Sequence, residues 1–133
     1  MANTAKLFQK AEKLLQKQKF NSALDLFLQL LDHETNNEAV LLNIVDLTLR
    51  LGQPEDFLRY SGFLADFYIK RKDTSKAIVT CRKILKSAPD NTPAMVKLAV
   101  LLKQSRKASE AADTFRRAAA SASIFFAFVG SYL

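Results

Sequence analysis

From Leu7 to Ala119 the apolar residues of this chain recur at intervals of three and four, and no stretch shows the every-second-residue alternation of a strand. A chain patterned in this way buries its apolar stripes by packing helix on helix. Punctuation agrees: three Gly and three Pro in 133 residues are too few for a sandwich or barrel, which needs turn residues every 8–12 positions or so. The length suits a single domain, since domains commonly run to about 100–150 residues, and a chain of this size needs no disulfide staple.

The stripes divide into seven segments. Leu7, Phe8, Ala11, Leu14 and Leu15 mark a first helix over 4–17, and Phe20, Ala23, Leu24, Phe27, Leu30 and Leu31 a second over 20–32. Residues 38–51 are apolar on nearly every side, as expected of a helix covered by neighbours on two faces. Gly52 then supplies a left-handed stop, Pro54 suits a first turn, and Glu55 and Asp56 complement the dipole of a fourth helix over about 54–71. Asp73 and Thr74 cap a fifth, striped by Ala77, Ile78, Cys81, Ile84 and Leu85 and closed by Ala88-Pro89-Asp90-Asn91. Thr92-Pro93 opens a sixth with Met95, Leu98, Ala99 and Leu102 inside. A seventh starts near 108, with Ala111, Ala112, Phe115, Ala118 and Ala119 as its apolar stripe.

Tandem helices of similar length call for a search for internal repeats. At an offset of 34, Leu64 matches Leu98, Ala65 matches Ala99, Ala77 matches Ala111, Cys81 faces Phe115 and Ile84 faces Ala118; Leu7 with Leu41 and Ala11 with Val45 keep the same offset. A helix-turn-helix unit repeating at that offset, with small residues where helices touch, resembles the tetratricopeptide repeat over most of residues 4–120. One unit offers Ala65, Ala77, Cys81, Ile84 and Pro89, the next Ala99, Ala111, Phe115 and Ala118, and the first Ala11, Phe20, Ala23 and Phe27. The repeats are degenerate: the family's early Trp is replaced by Leu7, Leu41, Ser61 and Met95. Ala23 and Ala77 are 54 apart, 20 more than one repeat, so the second unit runs from one helix straight into the next long one. The resemblance implies an all-α, right-handed solenoid of antiparallel helix pairs over 1–120. A hydrophobic tail over 121–133 follows, able to cap the last helix, to join two copies as a homodimer, or to meet a further repeat. A non-solenoid helical bundle of the same helices is the alternative architecture.

Little chemistry accompanies these helices. His33 is the only His and lies at a polar helix end; Cys81 sits on an apolar stripe, where a thiol behaves as a small hydrophobe. Gly52, Gly62 and Gly130 form no phosphate-binding loop, and no Cys/His cluster has zinc spacing. The expectation is therefore no enzyme, no metal and no cofactor. A lone Cys, a start (Met1 to Lys6) without an apolar leader, and a C-terminal run shorter than the roughly 18–20 apolar residues of a membrane span place the expected location in the cytoplasm.

What remains is surface. The resemblance implies a groove lined by the first helix of each unit, receiving an extended peptide or a helix of a partner protein. That frame places Phe8, Glu12, Leu42, Asn43, Asp46, Arg50, Phe63, Asp66, Lys70, Val96, Lys97, Val100 and Lys103 on it. Glu12, Asp46 and Asp66 then form an acidic row, unless they pair with cations a turn away, while Lys70, Lys97 and Lys103 make the far end basic. Some members of the family clamp a C-terminal carboxylate with Lys and Asn; here only Asn43 matches, so no clamp is expected. Charge suggests a rival reading. Residues 1–69 carry seven Lys/Arg against nine Asp/Glu, and 70–133 carry thirteen against four. A polyanion, nucleic acid or anionic surface, is the alternative partner, met by Lys70, Arg71, Lys72, Lys76, Arg82, Lys83, Lys86, Lys103, Arg106, Lys107, Arg116 and Arg117.

Overall fold

In the computed structural model every stripe becomes a helix: α1 Thr4–Gln16, α2 Phe20–His33, α3 Glu38–Arg50, α4 Pro54–Lys70, α5 Thr74–Ser87 and α6 Thr92–Gln104. A further helical segment, α7, covers 112–120. The structure describes residues 4–34, 36–105, 110 and 112–120; the expected apolar tail, 121–133, lies outside them. No strand occurs among the described residues.

The ends of the helices are set by local chemistry. Asn37 Oδ1 accepts from Val40 N at 3.2 Å, Asp73 Oδ1 from Lys76 N at 3.3 Å and Asn91 Oδ1 from Ala94 N at 2.9 Å, each satisfying an orphan amide of a first turn. The sixth helix is thus capped by Asn91, one residue before the Thr92-Pro93 pair that marks it in the sequence. After α1, α3 and α4 the chain turns through left-handed residues Gln18, Gly52 and Lys72, with φ of 58°, 66° and 61°. Gly meets this conformation without cost, whereas Gln18 and Lys72, both at exposed turns, adopt it against a Cβ penalty of about 1 kcal/mol each.

The element bounds repeat as the residues do. The 13-residue helices α1, α3 and α6 start at Thr4, Glu38 and Thr92, at offsets of 34 and then 54. The 14-residue helices α2 and α5 start at Phe20 and Thr74, again offset by 54. Helix α4 accounts for the irregularity in the repeat. It begins at Pro54, offset by 34 from the start of α2 at Phe20, and ends at Lys70, the same offset ahead of the end of α6 at Gln104. One helix of 17 residues stands where the pattern calls for two, so the displacement of 20 falls one 14-residue helix short of a whole repeat.

Contacts cluster into two compact units that divide between Leu64 and Ala65, inside α4. Such modularity is natural where each helix touches mainly its neighbours in sequence. In the first unit α1 packs on α2 and α2 on α3. Its core is Ala11, Ala23, Leu24, Phe27, Leu30, Val40, Ile44 and Leu47, flanked by half-buried Leu7, Phe8, Leu14 and Phe20. Ala11 and Ala23, both fully buried, keep the α1–α2 approach close, while Phe27 fills the space between helices; its burial contributes about 2–3 kcal/mol. The second unit repeats the device with Ala65 and Ala77, each offset by 54 from its counterpart, and packs α5 on α6 through Ile78, Cys81, Ile84, Leu85, Ala94, Met95, Leu98, Ala99 and Leu102.

Buried hydroxyls are mostly satisfied within their own helices. Thr48, Thr80 and Thr114 donate to the carbonyls of Val45, Lys76 and Glu110 at 2.8–2.9 Å. Ser61 Oγ is the exception, buried without a hydrogen-bond partner. Helix α7 also departs from the expected stripe: Ala118 is buried, but Ala112 and Ala119 are exposed and Phe115 is 40% exposed. Thr114 takes the second buried position, because its hydroxyl bonds back to Glu110 and leaves only its methyl to pack.

Candidate partner-binding surfaces

In the first unit the predicted surface residues do two kinds of work. Phe8 is half-buried, its ring edge-on to Phe27 at 5.7 Å, and the Arg50 guanidinium lies 4.7 Å over the Phe20 ring. These contacts join α1 to α2 and α3 to α2, so both residues stabilise the unit whatever else they meet. Asn43 donates its side-chain amide to Ala39 O at 2.8 Å, within its own helix. Glu12 and Asp46 are exposed, on α1 and α3. Leu42 on α3 and Phe63 on α4 remain 39% and 53% exposed; the Phe63 ring is steadied edge-on by Tyr60 at 5.9 Å.

In the second unit two residues predicted as separate charges meet. Asp66 Oδ1 of α4 and Lys97 Nζ of α6 are 2.9 Å apart, so the third member of the acidic row is neutralised by the cation of the next first helix instead of one a turn away. Around this pair Val96 and Val100, one helical turn apart on α6, are each 41% exposed, and Lys70 and Lys103 are exposed. Four of the eight large apolar residues exposed among the described residues, Leu42, Phe63, Val96 and Val100, are thus predicted surface positions. The others are Leu49, Ile69, Val79 and Phe115. Val79 was legible as a surface residue, since it falls off the α5 stripe of Ala77, Cys81 and Leu85.

Four cations of the rival reading have partners within the chain. Arg82 pairs with Glu110 and Arg116 with Asp113. Lys76 lies 4.0 Å from Asp73 and 5.7 Å from the centre of the Tyr68 ring, and Arg71 stacks 4.6 Å over Phe67. The Arg82–Glu110 pair borders an open cleft also lined by Leu85, Leu98, Asp113, Thr114 and Arg117. Arg106 and Lys107 lie outside the described residues.

Reactive groups are muted. Cys81 is fully buried, and desolvation raises its thiol pKa to about 11, so the nucleophilic thiolate is scarce at neutral pH. His33 is exposed, and no cluster of three or more His, Cys, Asp or Glu that could hold a metal occurs among the described residues. No described helix is long and apolar enough to cross a membrane.

Paired tandem helices, the register of 34 and the fully buried Ala11, Ala23, Ala65, Ala77 and Ala99 decide the architecture. The chain has a tetratricopeptide-like helical-repeat fold. No protein-family model matches it, and no curated protein does. Solved structures of such repeats are similar. MamA from Desulfovibrio magneticus RS-1 is 16% identical, with 91% of this chain and 77% of that one covered and a TM-score of 0.46. YrrB, described as a TPR protein with an unusual peptide-binding site, is 11% identical over 86% of this chain and 66% of its own, with a TM-score of 0.46. TTC0263, a thermophilic TPR protein of Thermus thermophilus, is 14% identical over 88% and 73%, with a TM-score of 0.43.

Proposed function

We propose that this repeat chain is a non-enzymatic interaction module that recruits a peptide or helix of another protein through its first helices. The carrying observation is that Leu42, Phe63, Val96 and Val100 stay exposed on helices that bury Ile44, Leu64 and Leu98 in the cores of their units. Large apolar side chains on well-packed helices supply binding energy with little ordering cost, and the polar residues beside them, Glu12, Asn43 and Asp46 in one unit and Asp66, Lys70, Lys97 and Lys103 in the other, set register and partner choice. Phe8 and Arg50 contribute by holding α1 and α3 on α2. YrrB is described as having a peptide-binding site, and the role proposed for this chain is of the same kind.

The test is capture by the immobilised full chain, with nuclease and with washes at about 0.5 M salt, where the Debye length is roughly 4 Å. A defined protein is expected to survive both treatments, to be lost with Phe63→Ser combined with Val96→Ser, and to be kept with Val79→Ser on α5. Release of all bound material by salt or nuclease would contradict the reading and favour a polyanion partner.

A further inference from the structure

On α6 and at the end of α4 the second unit exposes valines beside uncommitted cations; Asp90, in the turn ahead of α6, is its one side-chain carboxylate without a described ion pair. Residues 65–133 contain five carboxylates: Asp66, Asp73, Asp90, Glu110 and Asp113. Four are engaged within the unit, Asp66 by Lys97, Asp73 by Lys76, Glu110 by Arg82 and Asp113 by Arg116. Helix α6 has no carboxylate at all, while it exposes Val96, Val100 and Lys103. Lys70, one turn beyond Asp66 on α4, is likewise exposed, and no described carboxylate forms an ion pair with Lys70 or Lys103.

Topology places these groups together. Helices α4, α5 and α6 are joined by the short segments 71–73 and 88–91, so the chain reverses twice and α6 runs in the direction of α4. The Asp66–Lys97 bridge then fixes the register between them. Counting forward from the bridge at 1.5 Å per residue, Lys70 lies about 6 Å along α4 and Lys103 about 9 Å along α6, with Val100 between the bridge and Lys103.

We propose that this strip takes an acidic, apolar segment of a partner protein, its apolar side chains over Val96 and Val100 and its carboxylates toward Lys70 and Lys103. The inference rests on the interaction-module reading and fixes the chemistry of what is bound. A basic segment would set like charges against Lys70 and Lys103 with Asp66 already neutralised. A nucleic acid would meet valines at the centre of the strip, and the Arg82 and Arg116 cations elsewhere on the unit are paired.

The experiment is selection from a random dodecapeptide library on the full chain, followed by fluorescence polarisation with the consensus peptide. The expected consensus has two apolar residues flanked by Asp or Glu. Its affinity is expected to fall about tenfold or more with Val96→Ser/Val100→Ser and with Lys70→Glu/Lys103→Glu, and to be unchanged by Lys86→Glu on α5. Circular dichroism reports folding, and Lys70→Gln/Lys103→Gln replaces the reversal if helicity drops. A neutral or basic consensus, or binding no more sensitive to Lys70→Glu/Lys103→Glu than to Lys86→Glu, overturns the proposal and leaves the module reading intact. Enrichment of no peptide overturns both. Binding of poly(U) RNA that Lys86→Glu weakens as much as Lys70→Glu/Lys103→Glu does would move recognition to the general basic surface and also overturn it.

Discussion

Asp66 on α4 and Lys97 on α6, 31 positions apart in sequence, meet at 2.9 Å, and their pairing turns two predicted free charges into one structural tie. Both side chains keep access to water, 50% and 33% exposed, so the attraction is screened. A double-mutant cycle with Asp66→Asn and Lys97→Met is expected to give a coupling of about 0.5 kcal/mol from urea midpoints. The coupling shrinks toward zero at about 1 M salt, where screening acts within roughly 3 Å.

The two Asn caps, Asn37 ahead of α3 and Asn91 ahead of α6, occupy equivalent positions and make a controlled comparison. Asn37→Ala and Asn91→Ala should each cost about 1 kcal/mol through the lost bond to a first-turn amide. Asn37 has a second role, its Nδ2 donating to Glu34 Oε2 at 2.8 Å, and that hydrogen bond is the main cause holding the Glu34 carboxyl below its ordinary pKa. A lowered folded-state value contributes stability above the unfolded pKa of about 4.5 and loses it as pH falls through the folded value. The Asn37→Ala penalty is therefore expected to shrink in acid, whereas the Asn91→Ala penalty stays constant, because Ala88 occupies the place of Glu34. Denaturation curves at pH 7 and pH 3.5 or so distinguish the two.

Much of the fold was legible because its determinants are local. Stripes at helical spacing, Gly52 with Pro54, and Asp73 ahead of α5 give element bounds to within a residue or so. The repeat offset was legible from Ala65, Ala77 and Ala99, since only small side chains permit such close helix approach. That the second unit runs from one helix straight into the long α4 was legible from the spacing of Ala23 and Ala77; that α4 starts in register with α2 and ends in register with α6 was not, because it depends on the observed helix ends. Surface exposure of Leu42, Phe63, Val96 and Val100 followed from the repeat frame. The Asp66–Lys97 bridge, the Arg50–Phe20 stack and the Asn43–Ala39 bond did not, since each depends on side-chain reach across or along helices that periodicity does not specify. Phe115 reads as core by pattern; its 40% exposure reflects the burial of Thr114 in the neighbouring position.

Cys81 links burial to pH. Its folded-state thiol pKa, pushed up to about 11 by desolvation, means that the native state holds this proton more tightly than the unfolded chain, whose value is near 9. The corresponding stability is present in full below pH 9 or so and is lost as pH rises toward 11. Between those values the urea midpoint of the native protein should fall more steeply with pH than that of Cys81→Ala. Alkylation by iodoacetamide at pH 8 is expected to follow global unfolding instead of native-state access.

Ser61 is a stabilisation target. Its Oγ is buried without a partner, a desolvation cost of about 1–3 kcal/mol that Ala would not incur. Ser61→Ala, which removes only the hydroxyl, is expected to raise stability by about 1 kcal/mol. A lowered urea midpoint would show that the hydroxyl is satisfied in solution.

The most direct test of the central claim, that the exposed apolar side chains of the first helices bind a partner, is methyl NMR of the full chain titrated with its captured partner segment. Shifts concentrated at the methyls of Leu42, Val96 and Val100, with the buried Ile44 and Leu102 little changed, are the predicted result. Shifts concentrated at Val79 on α5, with Leu42, Val96 and Val100 silent, would contradict it.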